Sequence, residues 1–276
     1  MNRLFLIVCS TILFSGAVSA QDRVFTYTYQ SNVLNPGQRE IEVWTTLRSG
    51  REGFYRGLDA RLEFEMGIAK NLQTAFYLNT KNVAQEVTEV DGNHTHVSIE
   101  TENEWSFSNE WKYKLSDAAA NAIGSGLYGE ITIAPTELEL EFKLLFDKKI
   151  GRSTHALNLV SEFEFETEVE SENGQEEVEQ EMETKYEAVY GFSYNLNSNW
   201  NVGLEARNIN EVYEGEWEYS VLFAGPGFSY AKGPIWINMT VMPQITGLKH
   251  PDDSDSGLYL GSQEKLQTRL LFSFVF

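Results

Sequence analysis

Leu266-Gln267-Thr268-Arg269-Leu270-Leu271-Phe272-Ser273-Phe274-Val275-Phe276 closes the sequence and decides its reading. Leu266, Thr268, Leu270, Phe272, Phe274 and Phe276 recur with a period of two, and Gln267, Arg269, Leu271, Ser273 and Val275 fill the alternate positions. Successive side chains of a strand point to opposite faces, so this pattern is a strand with one face in an apolar medium. An aromatic stripe running to the last residue suits the closing strand of an outer-membrane barrel, with the last Phe near the interface. A soluble sandwich or lipocalin-like barrel would have to bury those six bulky groups, and its strands are shorter than several seen here.

The opposite end carries an address. Met1-Asn2-Arg3 is a short positive region, Leu4–Phe14 is apolar, and Val18-Ser19-Ala20 is a small-residue cleavage site. The pattern is a secretory signal with cleavage after Ala20. Its apolar run is too short to span a bilayer as a helix, which takes about 20 residues. Cys9 is the chain's one cysteine and lies inside the signal. It is preceded by Val8 and placed too early for a lipid-attachment site. The mature chain therefore has neither a disulfide nor a zinc-thiolate site. Later stretches stay below 18 consecutive apolar residues, so transmembrane helices are not expected. The formal charge is −20, and losing Arg3 with the signal makes the mature chain one unit more acidic. Such a chain repels nucleic acid.

Residues 21–38 hold a short alternation, Val24 to Tyr29, and then Asn35-Pro36-Gly37. They read as a periplasmic lead-in with a tight turn; an extra strand or an inserted plug are the alternatives. From residue 39 to 276 period-two stretches recur at about 39–48, 58–68, 72–82, 103–114, 125–134, 137–147, 154–170, 180–194, 200–208, 217–230 and 235–244, followed by the closing strand. The expected fold is all-β: a closed antiparallel transmembrane β-barrel of about 12 strands after an N-terminal signal peptide. Connections after the second, sixth, eighth and tenth strands are short, and those after odd-numbered strands are mostly longer and polar, which matches periplasmic turns and extracellular loops; the longer inner turn at 115–123 and the very short outer one at 135–136 are the exceptions. The long loops are expected at 83–102 and 245–262.

With the apolar faces against lipid, the other faces line the lumen. The acidic residues so placed are Glu40, Glu42, Asp59, Glu63, Glu65, Glu110, Glu130, Glu139, Glu141, Glu162, Glu164 and Glu166. The basic ones are Arg48, Arg61, Lys112, Lys114, Lys143 and Arg269. The strands at 137–147 and 154–170 are neighbours, so their glutamates form an acidic wall that needs cations, water or protons to be tolerated. Closure against the first strand sets Arg269 facing Glu40 and Glu42, with Lys265 and Gln267 also turned inward. Two interiors are compatible with this set. One is a salt-bridged network without an open path; the other is a water-filled passage that favours small cations or cationic solutes. Size does not choose, because twelve strands lie between the filled eight-stranded and the open sixteen-stranded cases.

Catalytic and metal signals are weak. The sequence has no Gly-x-Ser-x-Gly elbow. A lipid hydrolase on the outer wall needs a histidine near the outer rim. His94, His96 and His250 fall in loops, and His155 falls near the periplasmic end of its strand. His94 and His96 beside Asp91 read as a solvated loop. Asp252-Asp253-Ser254-Asp255 offers hard oxygens but lacks the closing glutamate of a calcium loop. No enzyme activity, metal or cofactor is expected.

Several segments resemble a family of uncharacterised proteobacterial outer-membrane barrels. They are Tyr27-Thr28-Tyr29, Pro36-Gly37, Glu40–Arg48, Asp59–Gly67, Leu72–Leu78, Asn109–Lys114 and Glu137–Leu144. The resemblance covers most of the mature chain and is clearest in its first half. It implies an outer-membrane barrel of a Gram-negative bacterium, and more loosely the chain is similar to small outer-membrane channels for organic solutes. The partners implied are outer-membrane lipid, the barrel-assembly machinery through the strand ending at Phe276, and small cations or solutes. The functional expectation is a narrow passive channel with an acidic, cation-favouring lumen. The alternative is a closed barrel acting through its outer loops.

Overall fold

The structure is a computed structural model, and it describes residues 23–91, 94–172, 175–249 and 257–276. The expected signal peptide, the cleavage at Ala20, His250 and the Asp252–Asp255 run lie outside the described residues. Among the described residues the chain forms twelve strands: β1 (Arg39–Ser49), β2 (Tyr55–Ala69), β3 (Leu72–Asp91), β4 (His94–Ser116), β5 (Gly124–Ile133), β6 (Glu137–Ile150), β7 (Ser153–Glu172), β8 (Gln175–Asn195), β9 (Trp200–Tyr213), β10 (Glu216–Lys232), β11 (Ile235–Lys249) and β12 (Leu266–Val275). Each pairs antiparallel with its neighbours, and β1 pairs with β12, so the sheet is closed. Closure leaves no edge and satisfies the backbone between strands, which a bilayer demands.

The closing strand is oriented as its pattern requires. Val43 stands opposite Phe272, and Glu42 opposite Ser273. Leu270, Phe272, Phe274 and Phe276 are exposed on the outside, whereas Leu271 and Ser273 are fully buried inside. Ile41, Val43 and Leu47 of β1 and Leu58 and Leu62 of β2 continue the outer apolar face. On β4 the exposed Trp105 and Tyr113 lie eight positions apart on one face. That is about 26 Å along the strand, which suits two aromatic girdles flanking an apolar band about 25 Å tall once the strand tilts. The end of the barrel where β1 begins and β12 stops is here the inner end.

Two differences from the sequence reading concern length. The polar stretch 83–102 is not a loop: β3 and β4 pair through it up to Asp91 opposite His94. The polar tip beyond residue 170 is likewise paired, up to Glu172 opposite Gln175. Both hairpins run to 20 residues or more per strand, against the nine to eleven or so that cross a bilayer. Polarity marks these segments as water-exposed but not as unpaired. In 83–102 the Val, Thr and Ile content favours strands. The outer connection expected at 209–216 shrinks in the same way. β9 and β10 extend into it and leave only Glu214-Gly215, both at positive φ, as the hairpin turn requires.

Residues 23–38 do not hang below the barrel; they run inside it. The segment starts beside β1 and β11, where Arg23 reaches Glu42 and Asn238 donates to the Arg23 carbonyl. It passes β9 and β7, and reaches β6 and β3 at Ser31 and Leu34. It leaves through a turn in which Gln38 N–H donates to the Asn35 carbonyl with Gly37 at φ 84°. Pro36 fixes the first corner of that turn, and the positive φ of the second is cheap only for glycine. Of the three readings open for this segment, the observed one is a plug, not a periplasmic lead-in.

Candidate functional site: the lumen and its inner plug

The plug is held mainly by wall side chains that accept its backbone N–H groups. A segment crossing a lumen alone cannot pair its backbone with a sheet, so its donors need other acceptors. Glu205 on β9 supplies most of them. Its Oε1 accepts from Thr26 N at 2.9 Å and Thr26 Oγ1 at 2.9 Å, and its Oε2 from Tyr27 N and Thr28 N at 2.8 Å each and Thr28 Oγ1 at 3.0 Å. Thr240 on β11 adds a wall contact to the same carboxylate at 2.7 Å. Asn158 on β7 accepts from Tyr29 N at 2.6 Å and donates to the Tyr29 carbonyl at 2.8 Å. Asp147 accepts from Ser31 N and Gln73 from Leu34 N, at 2.8 and 2.9 Å.

Glycines on the wall make the room. A Cβ at Gly191 would lie 2.8 Å from the Phe25 ring, and one at Gly67 2.1 Å from the Asn35 carbonyl oxygen. These plug contacts were not legible as such. Glu205 has inward parity but carries no motif, and Asp147, Asn158 and Gln73 look like ordinary lumen polar residues.

Above the plug lies a cavity of about 470 Å³ whose floor includes Tyr27 and Tyr29. Its walls divide by chemistry. On one side the strand register lines up Glu130, Glu141, Glu162 and Lys185 across β5 to β8, a row that Glu110 on β4 and Glu211 on β9 continue beyond the cavity. Beside that row Glu139 stands opposite Glu164, and Glu137 opposite Glu166. Like charges directly opposite are destabilising, and the barrel offsets this with a few cations. Lys185 reaches Glu162 at 3.5 Å, Glu164 at 3.0 Å and Glu183 at 2.6 Å. Lys143 pairs with Glu141 at 2.8 Å, and Arg207 Nε with Glu187 at 2.8 Å. Arg61 on β2 reaches across the interior to Glu130 on β5 at 3.1 Å, its guanidinium between the rings of Trp44 and Tyr77.

On the other side Arg48 pairs with Asp59 at 2.7 Å near the outer end. Arg51 lies 3.8 Å from Glu264, a buried residue of the last outer loop that also accepts from Gln267. A third sector is apolar: Val160, Val189, Ile209, Val221, Phe223 and Met242 pack around Tyr27. Parity alone does not show that β10 is apolar on both faces.

The sequence-derived lumen residues fall into two groups in space. Arg48, Asp59, Arg61, Glu130, Glu139, Glu141, Lys143, Glu162, Glu164 and Arg269 line the outer cavity. Glu40, Glu42, Glu65 and Lys112 line a second, inner cavity of about 60 Å³ on the far side of the plug. Glu63 and Glu110 are buried beside this inner group. Lys114 pairs with Asp117 at the inner turn, and Glu166 is exposed at the outer end.

Arg269 does not meet Glu40 and Glu42 as expected. It stands opposite Thr46, donates to the Thr46 hydroxyl at 2.8 Å, and lies 3.9 Å from the centre of the Tyr27 ring. Register places Glu40 and Glu42 four or more positions further toward the inner end, where Arg23 of the plug meets Glu42 at 3.4 Å instead. Lys265 is exposed, because the residues just before β12 leave the strand alternation and Glu264 turns inward in its place. The cavity lining holds ten carboxylates against eight cations, a far smaller imbalance than the whole chain's.

His155 lies near the inner turn and shares a 2.8 Å hydrogen bond with Tyr190; His94 and His96 are exposed on the β4 arm of the long hairpin. Among the described residues, these three positions do not bring a histidine to the outer rim of the lipid face.

These features define a closed twelve-stranded barrel of the outer-membrane type, with a polar, channel-like interior. The chain belongs to the family of unknown function DUF6662, whose model matches residues 17–276. No curated protein sequence matches it. Among solved structures it is similar to the COG4313 outer membrane channel from Pseudomonas putida F1, with TM-score 0.56 and 11% identity over 89% of this chain and 98% of that one. It is also similar to the NanC porin, with TM-score 0.51 and 9% identity over 85% of this chain and 98% of that one. At such identities the likeness concerns the fold.

Proposed function

We propose that this protein is a narrow outer-membrane channel for passive passage of small solutes, with a modest preference for cations. The observation that carries the reading is the outer cavity: about 470 Å³, polar, with an acidic wall on β5 to β8 facing a basic arc on β12, β1 and β2. A charged, water-filled constriction with walls of opposite sign selects by charge and orients dipolar solutes. The excess of two carboxylates over cations supports a weak preference rather than a strict one. Residues 23–38 form the inner constriction, so passage past Tyr27 and Tyr29 requires the plug to shift or to leave a path along the wall. The proposed role is transport rather than catalysis, in the outer membrane of a Gram-negative bacterium, where such folds reside.

A closed barrel acting through its outer hairpins is the second reading, favoured by the plug itself. Single-channel recording in planar bilayers separates the two. Discrete conductance steps from purified, closed barrels support the channel, and a folded but silent barrel refutes it.

A further inference from the structure

We infer that the inner cavity binds one divalent cation through Glu40, Glu42 and Glu65. These three buried glutamates place a carboxylate oxygen each within 4.8 Å of one another. They line the cavity of about 60 Å³ together with Asn32 and Gln30 of the plug. That volume exceeds the roughly 30 Å³ share of one liquid water, so it can admit an ion with a water ligand.

The group is built by register and cannot be seen along the chain. Glu40 stands opposite Glu65 and Glu42 opposite Glu63, which sets four carboxylates in a square on the inner face of β1 and β2. Neighbours orient three of them from one side. Trp236 Nε1 donates to Glu40 Oε1 at 2.5 Å, and Ser273 donates to the same oxygen. Arg23 Nη1 meets Glu42 Oε2 at 3.4 Å, and Gln73 Nε2 donates to Glu65 Oε2 at 3.1 Å. Such outer contacts fix ligating carboxylates in metal sites.

The independent sign of a missing counter-charge is Glu63. It is 1% exposed, and neither of its carboxylate oxygens accepts a hydrogen bond. It lies against Glu42 and Glu65. Buried charges are paired or coordinate metals. Among the described residues, the cations that line this cavity with Glu40, Glu42 and Glu65, beside the buried Glu63 and Glu110, are Arg23 and Lys112. A divalent ion offsets most of the remaining charge. Carboxylate oxygens with an amide oxygen suit a hard cation such as Ca²⁺. Bound there, the ion would also tie the β1–β2 wall to the plug through the Asn32 and Gln30 side.

The test is calorimetric titration of CaCl₂ into the closed barrel in detergent, stripped of divalent ions, with Glu40→Gln, Glu65→Gln and, as an exposed acidic control, Glu216→Gln. Gel migration without heating confirms that each variant is closed. Saturation at one ion per chain is expected, weakened at least about tenfold in Glu40→Gln and Glu65→Gln and unchanged in Glu216→Gln. Terbium emission sensitised by Trp236 and reversed by calcium gives the same ranking without relying on heats. No saturable binding to the wild type, or equal binding in all four proteins, overturns the site and leaves protons to neutralise the cluster.

Discussion

Replacing Glu205 by alanine should free the plug while leaving the barrel closed. The carboxylate accepts three backbone N–H groups and two threonine hydroxyls of residues 26–28 but only one hydroxyl from the wall. Its loss therefore falls on the plug rather than on the sheet. A hydrogen bond to a charged acceptor contributes about 1.5–3 kcal/mol net. Three orphaned backbone donors would cost about 4.5 kcal/mol at the lower figure, and water entering the space left by the side chain recovers part of this. A net loosening of about 3 kcal/mol corresponds to roughly 100-fold more of the undocked state.

Ser31→Cys supplies a reporter, because Ser31 is 2% exposed in the docked segment. The chain's own single cysteine is Cys9, ahead of the expected cleavage point. A charged methanethiosulfonate should label Ser31→Cys slowly in the parent and roughly 100-fold faster with Glu205→Ala. Rates within twofold of each other, in a barrel that still migrates as closed, would refute the assignment of Glu205 as the main anchor.

Other substitutions probe the remaining contacts. Lys185→Met leaves Glu162, Glu164 and Glu183 without their shared cation. It should lower stability by about 2–3 kcal/mol, less than a fully buried pair because water reaches the site, as read from the urea midpoint of the closed form. Gly191→Ala meets the Phe25 ring at 2.8 Å and the Thr28 hydroxyl at 2.9 Å, both flexible side-chain contacts of the plug, and should raise Ser31→Cys labelling modestly. Gly67→Ala meets backbone oxygens at 2.1 and 2.6 Å and should impair closure itself, seen as loss of the fast-migrating band. Removing residues 87–98 shortens one outer hairpin beyond the apolar band and should leave both the gel shift and the conductance in place.

The barrel was readable because lipid imposes one rule on every strand. Phe272, Phe274 and Leu62 are outside for the same reason that Ser273 and Glu63 are inside. Strand ends were less readable where water replaced lipid, since a polar hairpin such as 83–102 has no apolar stripe to mark its pairing. The lumen was readable by parity but not by depth. Whether Arg269 meets Glu42 or Thr46 depends on the register across closure, which residue type does not encode. The plug was least visible. Its anchors act through single side chains from β9, β7, β6 and β3 that come together only when the sheet closes around residues 23–38. The local alternation around Tyr27-Thr28-Tyr29 is compatible with a strand, yet Glu205 and Asn158 take the place of a neighbouring strand.

The central claim, a channel whose selectivity comes from the acidic wall, is tested most directly by the reversal potential in a KCl gradient across a planar bilayer. The wild type should show a small shift toward the potassium potential. In the combined Glu139→Gln, Glu141→Gln, Glu162→Gln and Glu164→Gln variant the cavity lining changes from ten carboxylates against eight cations to six against eight, so the sign should reverse toward chloride. An open channel whose reversal potential is the same with and without those four carboxylates would contradict the account.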